Sequence, residues 1–203
     1  MADILKFFKN NRDDIFKPVI VLLVICILIP LALAVTNKIT ASRIAQLDQK
    51  NETEAMKRLI SAETYEKKEL KADDETVVYT VASDGEEVCG YIFTVSAKGY
   101  GGDVSVMTAV NPDGSVKAVE ILDVSNETPG LGQNAAKESF YSQFASKTAD
   151  IELVKGTATG NQVNAVTGAT ITSKAVTKAV NEALGYCDTV IKATSWLNGR
   201  EEQ

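Results

Sequence analysis

The sequence contains no histidine, and this absence excludes several kinds of active site. Serine–histidine and cysteine–histidine nucleophile pairs are ruled out, as is every metal site built on imidazole. Only three cysteines are present, Cys26, Cys89 and Cys187, and they form neither a CxxC motif nor a disulfide framework. We therefore expect no histidine-dependent catalytic residue and no metal site in the chain.

Positive charge is also scarce. The 203 residues include 27 acidic and 21 basic side chains, for a formal net charge of −6, and no basic stripe is visible. Nucleic-acid partners are excluded on this ground, because binding to a phosphate backbone needs such a stripe. With 45% hydrophobic and 24% charged residues, the composition is that of a folded protein. The length allows one domain-sized core and an appendage.

Charge is missing altogether from residues 18–35, which read PVIVLLVICILIPLALAV. A helix of about 20 residues is long enough to cross the hydrocarbon core of a membrane. A cleaved signal peptide is the alternative, since Ala32-Leu33-Ala34 fits the cleavage pattern of small residues. The apolar region of a signal peptide usually has only about 7–15 residues, so the longer run here favours an uncleaved transmembrane helix.

The basic residues near this span predict its orientation. Four precede it and two follow it: Lys6, Lys9, Arg12 and Lys17 on the first side, Lys38 and Arg43 on the second. Because cytoplasmic flanks are the more basic ones, residues 1–17 should be cytoplasmic and everything after about residue 36 extracytoplasmic. Cys26 then lies in lipid, so only Cys89 and Cys187 could pair outside, and we expect both to be free thiols.

Beyond the span, residues 36–75 are expected to form a helical stalk and a connector. Apolar residues at loose helical spacing predict a helix over 40–60, and 66–75 is interpreted as a charged connector without core-forming residues. Residues 76–203 should form one α+β domain, an antiparallel sheet with helices packed on one face. Strands are predicted at 77–82, 89–97, 104–110, 116–122 and 151–154, and helices at 134–145 and 173–193.

Two glycine-rich segments interrupt these elements. KGYGGD, residues 98–103, has three glycines, which leave the backbone open to close approach by a partner. In SNETPGLGQNA, residues 125–135, Pro129 fixes φ, and Gly130 and Gly132 permit positive φ. Amide groups turned to one side by such a loop could line a pocket for a planar polar ligand. An ordinary Pro-Gly turn is the alternative.

The stretch VTGATITS, residues 166–173, precedes the last helical pattern and contains four hydroxyl side chains: Thr167, Thr170, Thr172 and Ser173. One interpretation is that Thr172 or Ser173 caps the helix and satisfies its free amides. The other is that a phosphate binds at the positive end of the helix dipole, where the Thr170 hydroxyl could meet it. The residues alone leave both interpretations open.

Two motifs carry a resemblance to a known family. NAVTGATITS, residues 164–173, resembles the flavinylation signature of FMN-binding domains, in which an acidic residue and two others precede Ser/Thr-Gly-Ala-Thr. ETPGLG, residues 127–132, resembles the second diagnostic loop of that family. In this order behind a membrane anchor, they resemble the G subunit of the Rnf ion-translocating electron-transport complexes over essentially the whole chain. The C subunit of Na⁺-pumping NADH:quinone reductases shares both loops, but its chains tend to be longer.

The resemblance implies a covalent FMN, bound through its phosphate to the Thr170 hydroxyl by a separate flavin transferase that uses FAD. The other residues that it assigns to the cofactor site are Thr167, Gly168, Ala169, Thr172, Ser173, Glu127, Thr128, Gly130 and Leu131, with Leu131 packed on the ring. Asn164 stands where the signature usually has Asp, which predicts slower modification because an amide lacks the carboxylate charge. The loop before ETPGLG also lacks a histidine that is often found there.

The function implied by the resemblance is electron relay within a membrane complex. Such an assembly moves electrons from reduced ferredoxin to NAD and pumps Na⁺ or H⁺, so this chain would have the other Rnf subunits as partners and no turnover alone. Two alternatives remain open. The chain could serve as the C subunit of a quinone reductase, or it could be an anchored flavin-binding regulator or adaptor that passes no electrons.

Overall fold

The computed structural model describes residues 12–72 and 75–201, and it divides into two compact units with the boundary between Lys50 and Asn51. Helix α1, Arg12–Leu59, contains the apolar segment. The most apolar 18 residues of this helix have a mean hydropathy of 3.2, and none of them is buried within the protein. By length and composition α1 could cross a membrane, and within the described ranges no other helix could.

The stalk helix predicted from residue 40 has no start of its own, because α1 continues without interruption to Leu59. Two threonines near the predicted start lie inside this helix. The Thr36 hydroxyl donates to the carbonyl oxygen of Ala32 at 2.9 Å, and the Thr40 hydroxyl donates to that of Thr36 at 2.9 Å. Both hydroxyls are satisfied by the preceding helical turn, so neither one needs to end or start a helix.

Five strands form an antiparallel meander in the order β1-β2-β3-β4-β5: Thr64–Ala72, Glu75–Asp84, Glu87–Lys98, Asp103–Val110 and Val116–Asp123. The four strands predicted between residues 77 and 122 are confirmed as β2 to β5. The charged connector predicted at 66–75 is wrong, because most of it is β1, paired along its length with β2. Charged side chains are typical of a strand at the edge of a sheet, which is where β1 lies.

Alternate residues of the strands face opposite sides of this sheet. Helix α3, Thr170–Glu201, covers one side and packs its apolar residues on Phe93, Val104 and Val106. The end of α1 covers the other side, where it packs on Ile92, Met107 and Ala109; its own members of this cluster are Ala55 and Leu59, followed by Ile60. The prediction that helices lie on one face only is therefore wrong, while the α+β class is confirmed.

Short elements connect β5 to α3. The single helix predicted over 134–145 is wrong, since the structure has a 3₁₀ turn at Gly132–Ala136, helix α2 at Glu138–Tyr141 and a second 3₁₀ turn at Ser142–Phe144. Their buried side chains anchor them to the core: the rings of Phe140 and Phe144 meet edge to face at 5.6 Å. The predicted strand at 151–154 corresponds to β6, Glu152–Val154, which pairs in parallel with β7, Gln162–Asn164.

Candidate functional site

A cavity of about 830 Å³ lies where the two sequence motifs meet. Its volume falls within the roughly 300–1,000 Å³ of pockets that bind small molecules. The lining residues come from four segments: Tyr100; Glu127, Thr128, Leu131 and Gly132; Lys155 and Gly156; and 165–172. Most of the predicted cofactor residues are thus brought together, whereas Gly130 and Ser173 do not line the cavity.

The side chain of Glu127 is the most buried charged group at this cavity, with 2% of its surface exposed. One carboxylate oxygen, Oε1, accepts hydrogen bonds from the backbone amides of Tyr100 at 2.8 Å and Gly101 at 3.1 Å. The other, Oε2, accepts one from the Thr172 hydroxyl at 2.6 Å. Glu127 therefore connects the glycine-rich turn after β3, its own loop and the first turn of α3.

The glycines around Glu127 are required by this close approach. A Cβ atom on Gly99 would lie 2.2 Å from Oε1 of Glu127, and one on Gly132 would lie 2.3 Å from Oε2. A Cβ atom on Gly101 would lie 1.9 Å from the carbonyl oxygen of Asn126. We expected KGYGGD to be open for a partner; in the structure it is this chain's own loop that approaches these glycines.

The loop with the ETPGLG motif uses several of its amides internally. The Leu131 amide donates to the Thr128 carbonyl at 3.1 Å, and the Asn134 amide donates to the Leu131 carbonyl at 3.0 Å. These amides are therefore not directed at the cavity. The Leu131 side chain is 44% exposed, and its Cδ2 atom lies 2.9 Å from where a Cβ atom on Gly168 would be. The two motifs touch at this point, and Gly168, at φ +78°, allows the turn that makes the contact.

Helix α3 begins at Thr170, three residues before its predicted start, so the proposed caps lie inside its first turn. The Ser173 hydroxyl accepts a hydrogen bond from the Val166 amide at 2.9 Å and donates one to the Ala169 carbonyl at 2.9 Å. The Thr172 hydroxyl donates to Glu127 instead of accepting from a helix amide. The capping prediction for Thr172 and Ser173 is therefore wrong: both hydroxyls fasten the helix to the chain around it.

The hydroxyls of Thr167 and Thr170 differ from these two in exposure and in hydrogen bonding. Thr167 is exposed and Thr170 is half-buried, and both line the cavity. Neither hydroxyl forms a hydrogen bond with any residue that the structure describes. By contrast, Thr172 is 1% exposed and Ser173 is 0% exposed. Of the four hydroxyls, only Thr167 and Thr170 are thus available for reaction with a molecule in the cavity.

Comparison with known proteins identifies the family. Residues 99–185 match the FMN-binding domain family, and both motifs lie in this range. The G subunit of the proton-translocating ferredoxin:NAD(+) oxidoreductase complex of Clostridium ljungdahlii is 37% identical over 177 residues, which cover 86% of this chain and 92% of that protein. The chain belongs to the G-subunit family of ion-translocating ferredoxin:NAD(+) oxidoreductase complexes.

A second member of this G-subunit family, from the Na(+)-translocating complex of Acetobacterium woodii, is 37% identical over 188 residues. That match covers 84% of this chain and 90% of the relative. The crystal structure of NqrC from Shewanella oneidensis is similar with a TM-score of 0.51 and 24% identity, and covers 66% of this chain and 72% of that one. The likeness to NqrC concerns the fold alone.

The cavity of this G-subunit family member fits FMN, the ligand of the matched domain family. Two exposed apolar side chains, Leu131 and Ile171, offer surfaces for a planar ring, and the half-buried Thr170 also lines the cavity. Lys155 is the one basic side chain among the lining residues, and it suits an anionic ligand. FMN combines these properties, since it has a flat ring system and a phosphate.

Sequence reasoning missed five of the lining side chains: Tyr100, Lys155, Ala165, Val166 and Ile171. Tyr100 is 72% exposed and stands between glycines, so an aromatic residue inside a glycine-rich turn was the signal that could have indicated it. Lys155 follows β6 and has no motif around it, so nothing local marks it. Only the fold brings Tyr100 and Lys155 to the cavity, whereas Ala165, Val166 and Ile171 belong to the motif around Thr170.

Asn164, the departure from the flavinylation signature, lies in β7 and does not line the cavity. Its backbone is held by the Gln143 side chain, which accepts from the Asn164 amide at 2.8 Å and donates to the Asn164 carbonyl at 3.4 Å. Its side-chain oxygen Oδ1 is buried and has no hydrogen-bond partner among the described residues. The prediction that Asn164 slows modification stays a prediction.

The cysteines are free thiols, as expected. Cys187 is fully buried in the cluster under α3, whereas Cys89 packs against the cluster on the opposite side of the sheet. Burial raises the pKa of the Cys187 thiol to about 12. The intervening sheet prevents a disulfide between them, and the raised pKa makes Cys187 a poor nucleophile.

Proposed function

We propose that this chain is the flavoprotein subunit of an Rnf-type ion-translocating ferredoxin:NAD oxidoreductase, with FMN bound covalently to Thr170. The observation that supports this most directly is the cavity itself, in which the Thr170 hydroxyl, without a hydrogen-bond partner in the described part of the chain, stands at the start of a 32-residue helix. The family match over residues 99–185 supports FMN as the ligand. The names of the two relatives point to the complex.

The attachment is proposed as a transfer from FAD that a separate flavin transferase catalyses. Thr170 Oγ1 forms a bond to the phosphorus that carries riboflavin, and the phosphoanhydride bond of FAD breaks. The leaving group is AMP, which contains the second phosphate of FAD, and the hydroxyl proton is released. The product is a phosphodiester with one negative charge, which the positive end of the α3 dipole stabilises.

Several residues of this chain would hold the cofactor. Leu131 and Ile171 provide apolar contact for the ring, and Gly168 leaves room beside the attachment point. Lys155 adds a positive charge at the cavity wall. FMN supplies the electron-transfer chemistry when it is bound. Because a covalent cofactor cannot diffuse away, the ring stays within reach of fixed neighbouring centres.

The proposal includes a membrane topology for the chain. Residues 18–35 of α1 would form a single-pass anchor with residues 1–17 in the cytoplasm and the flavin domain outside. A reporter fused to the C-terminus tests the orientation. Alkaline phosphatase, which is active only outside the cytoplasm, should be active there, and a cytoplasmic reporter at the same position should not. The reverse pattern would overturn the orientation.

The decisive experiment is co-expression of the full chain with a flavin transferase. The wild-type protein should keep a yellow fluorescent band in a denaturing gel and gain the mass of one FMN less one water. Thr170→Ala should lose both signals while it retains its circular dichroism spectrum, because the Thr170 hydroxyl makes no hydrogen bond with the residues that the structure describes.

Matched variants complete that experiment. Thr167→Ala and Thr172→Ala should still be modified, though less completely, and Thr170→Ser should retain part of the flavin because it keeps a hydroxyl. Covalent flavin on Thr170→Ala, or wild-type flavin that is released on denaturation, would show that the attachment is wrong.

The alternative as the C subunit of a quinone reductase has weaker support, since the NqrC likeness is at 24% identity. The alternative as a regulator or adaptor makes a separate prediction. Such a protein should carry a flavin that stays oxidised when the isolated membrane complex receives reduced ferredoxin. Reduction of the flavin under those conditions, followed by its reoxidation with NAD, supports the relay.

A further inference from the structure

The buried carboxylate of Glu127 has a bonding pattern that cofactor contact alone does not explain. Both of its oxygens are occupied by this chain: two backbone amides of the 99–102 turn on one side and the Thr172 hydroxyl on the other. Three glycines have no room for a side chain near this connection. A residue so enclosed holds neighbouring segments in position.

Thr172 links Glu127 to the helical turn that carries Thr170, the proposed attachment residue. It lies two residues after Thr170, within the first turn of the same helix. The Glu127–Thr172 hydrogen bond is 2.6 Å long and fully buried, and it joins residues 45 positions apart in the sequence. Where the first turn of α3 stands relative to the cavity wall is therefore set by this contact.

We propose that Glu127 and Thr172 are positioning residues for the flavinylation of Thr170. This inference rests on the proposed function. The pair has two effects. It fixes the first turn of α3, so that the Thr170 hydroxyl is presented to the incoming FAD in one orientation. It also occupies the Thr172 hydroxyl, which is 1% exposed, and so removes one competing acceptor from the same helical turn.

The expected size of the effect comes from the geometry of group transfer. A displacement of about 1 Å between reacting groups can lower a rate about 100-fold. Loss of the Glu127–Thr172 bond should therefore reduce the turnover of the transferase on this substrate by about 10-fold to 100-fold. A purely structural role predicts something else. It would lower the fraction of folded substrate, which raises the apparent KM and leaves kcat unchanged.

The test uses full-length chain without flavin, in detergent, as the substrate of a flavin transferase with FAD. Thr172→Val removes the hydroxyl and keeps the shape of the side chain, while Thr172→Ser restores the hydroxyl. We expect Thr172→Val to lower kcat by about 10-fold or more with little change in KM, and Thr172→Ser to recover most of the rate. A wild-type kcat for Thr172→Val would overturn the inference.

A matched control comes from the same helix. Thr177 is also buried, with 5% exposed, and its hydroxyl donates to the Ser173 carbonyl at 2.9 Å, but it does not line the cavity. Thr177→Val removes a comparable buried hydroxyl, and we expect its kcat to equal that of the wild type. An equal fall in kcat for both valine variants would mean that any loosening of α3 slows the reaction, which also contradicts the inference.

Glu127 itself is tested by a second pair. Glu127→Ala removes the acceptor of all three hydrogen bonds, whereas Glu127→Gln keeps the size of the side chain and can bond to both partners. The glutamine variant should be modified faster than the alanine variant; equal kcat values for both would contradict the role of the contact. Thr170→Ala in the same assay separates the two proposals. If Thr170→Ala is still modified, the proposed function fails. If Thr170→Ala is not modified but Thr172→Val has the wild-type kcat, the positioning inference alone fails.

Discussion

The two faces of the sheet are covered by different parts of the chain and to different extents. Under α3 lies a large, valine-rich cluster that also includes Phe93 and Phe144. On the opposite face the end of α1 contributes Ala55 and Leu59 to a much smaller cluster, which Ile60 also joins. Most of the apolar surface that stabilises the domain is thus buried under α3, whose first turn carries the site.

This difference suggests that the two faces have different roles. The α3 face maintains both stability and the cavity, because Val176 and Val180 in its core belong to the same helix as Thr170. On the α1 face, the Arg58 guanidinium forms an ion pair with Glu120 of β5 beside the cluster. Changes on the α1 face should therefore affect stability less than changes under α3, and should leave flavinylation intact.

The largest effect is expected from Phe144→Ala. Phe144 is 0% exposed and packs edge to face on Phe140, so its removal leaves a cavity in the main core. The free energy of unfolding should fall by about 3–5 kcal/mol. Denaturant titration of the full chain in detergent, followed by circular dichroism, measures the change. A loss below that of the next variant would contradict the ranking of the two faces.

A smaller loss is expected from Leu59→Ala on the α1 face. Leu59 is 7% exposed, and with few neighbours to lose, its replacement should cost about 2 kcal/mol, at the low end for a buried leucine. Leu47→Ala is the matched control, because Leu47 is 46% exposed and should change stability little. Flavinylation of Leu59→Ala at the wild-type rate would complete the distinction between the faces.

Thr108→Val should stabilise the protein, in contrast to the two preceding variants. Thr108 is 0% exposed on β4, and its hydroxyl has no hydrogen-bond partner among the described residues. Valine has nearly the same shape and no hydroxyl to desolvate, so the free energy of unfolding should rise by about 1 kcal/mol. Thr177→Val serves for comparison, since its hydroxyl is bonded and its loss should not stabilise. A destabilised Thr108→Val would point to a partner for that hydroxyl.

The labelling rates of Cys89 and Cys187 report how accessible the two faces of the sheet are, and neither thiol has to be mutated for this measurement. In a Cys26→Ala background, the native protein at pH 8 should label at the half-buried Cys89 long before the fully buried Cys187. Burial raises the pKa of Cys187 from its ordinary 9.0 to about 12 in the folded protein. The stability that depends on its neutral thiol is therefore complete below pH 9 and is lost as the pH rises toward 12.

Denaturation provides the control for this measurement. Unfolded protein should label at two thiols whether or not a reductant was added first. A thiol that appears only after reduction would reveal a disulfide, and equal native labelling rates would contradict the burial of Cys187.

Much of the fold could be predicted from local patterns. Alternating apolar residues indicated β2 to β5, and the turn residues between them indicated an antiparallel order. The errors have a common cause. β1 was interpreted as a connector because its residues are mostly charged, and such a strand forms only because β2 offers it a partner. A single helix was predicted over 134–145, but the extended backbone of Lys137, at φ −82° and ψ 140°, separates the first 3₁₀ turn from α2.

The candidate site was predictable in its parts. Both loops were indicated by turn residues and small hydroxyl residues, which have local signatures, and Thr170 was indicated as the attachment point by the resemblance to FMN-binding domains. The roles of Thr172, Ser173 and Glu127 were not. We expected Thr172 or Ser173 to cap the helix, whereas both hydroxyls are bonded to residues outside the helix or before its start, and the Glu127 carboxylate joins its own loop to two other segments.

By itself, the sequence determined what depends on neighbours along the chain: the apolar helix, the strand alternation, and the positions of the two loops. Only the tertiary structure decided which hydroxyl is available. Exposure and hydrogen bonding depend on residues that are distant in the sequence, as with Thr172 and Glu127, which lie 45 positions apart. Among the residues that the structure describes, the Thr167 and Thr170 hydroxyls have no hydrogen-bond partner, whereas folding gave their neighbours Thr172 and Ser173 partners.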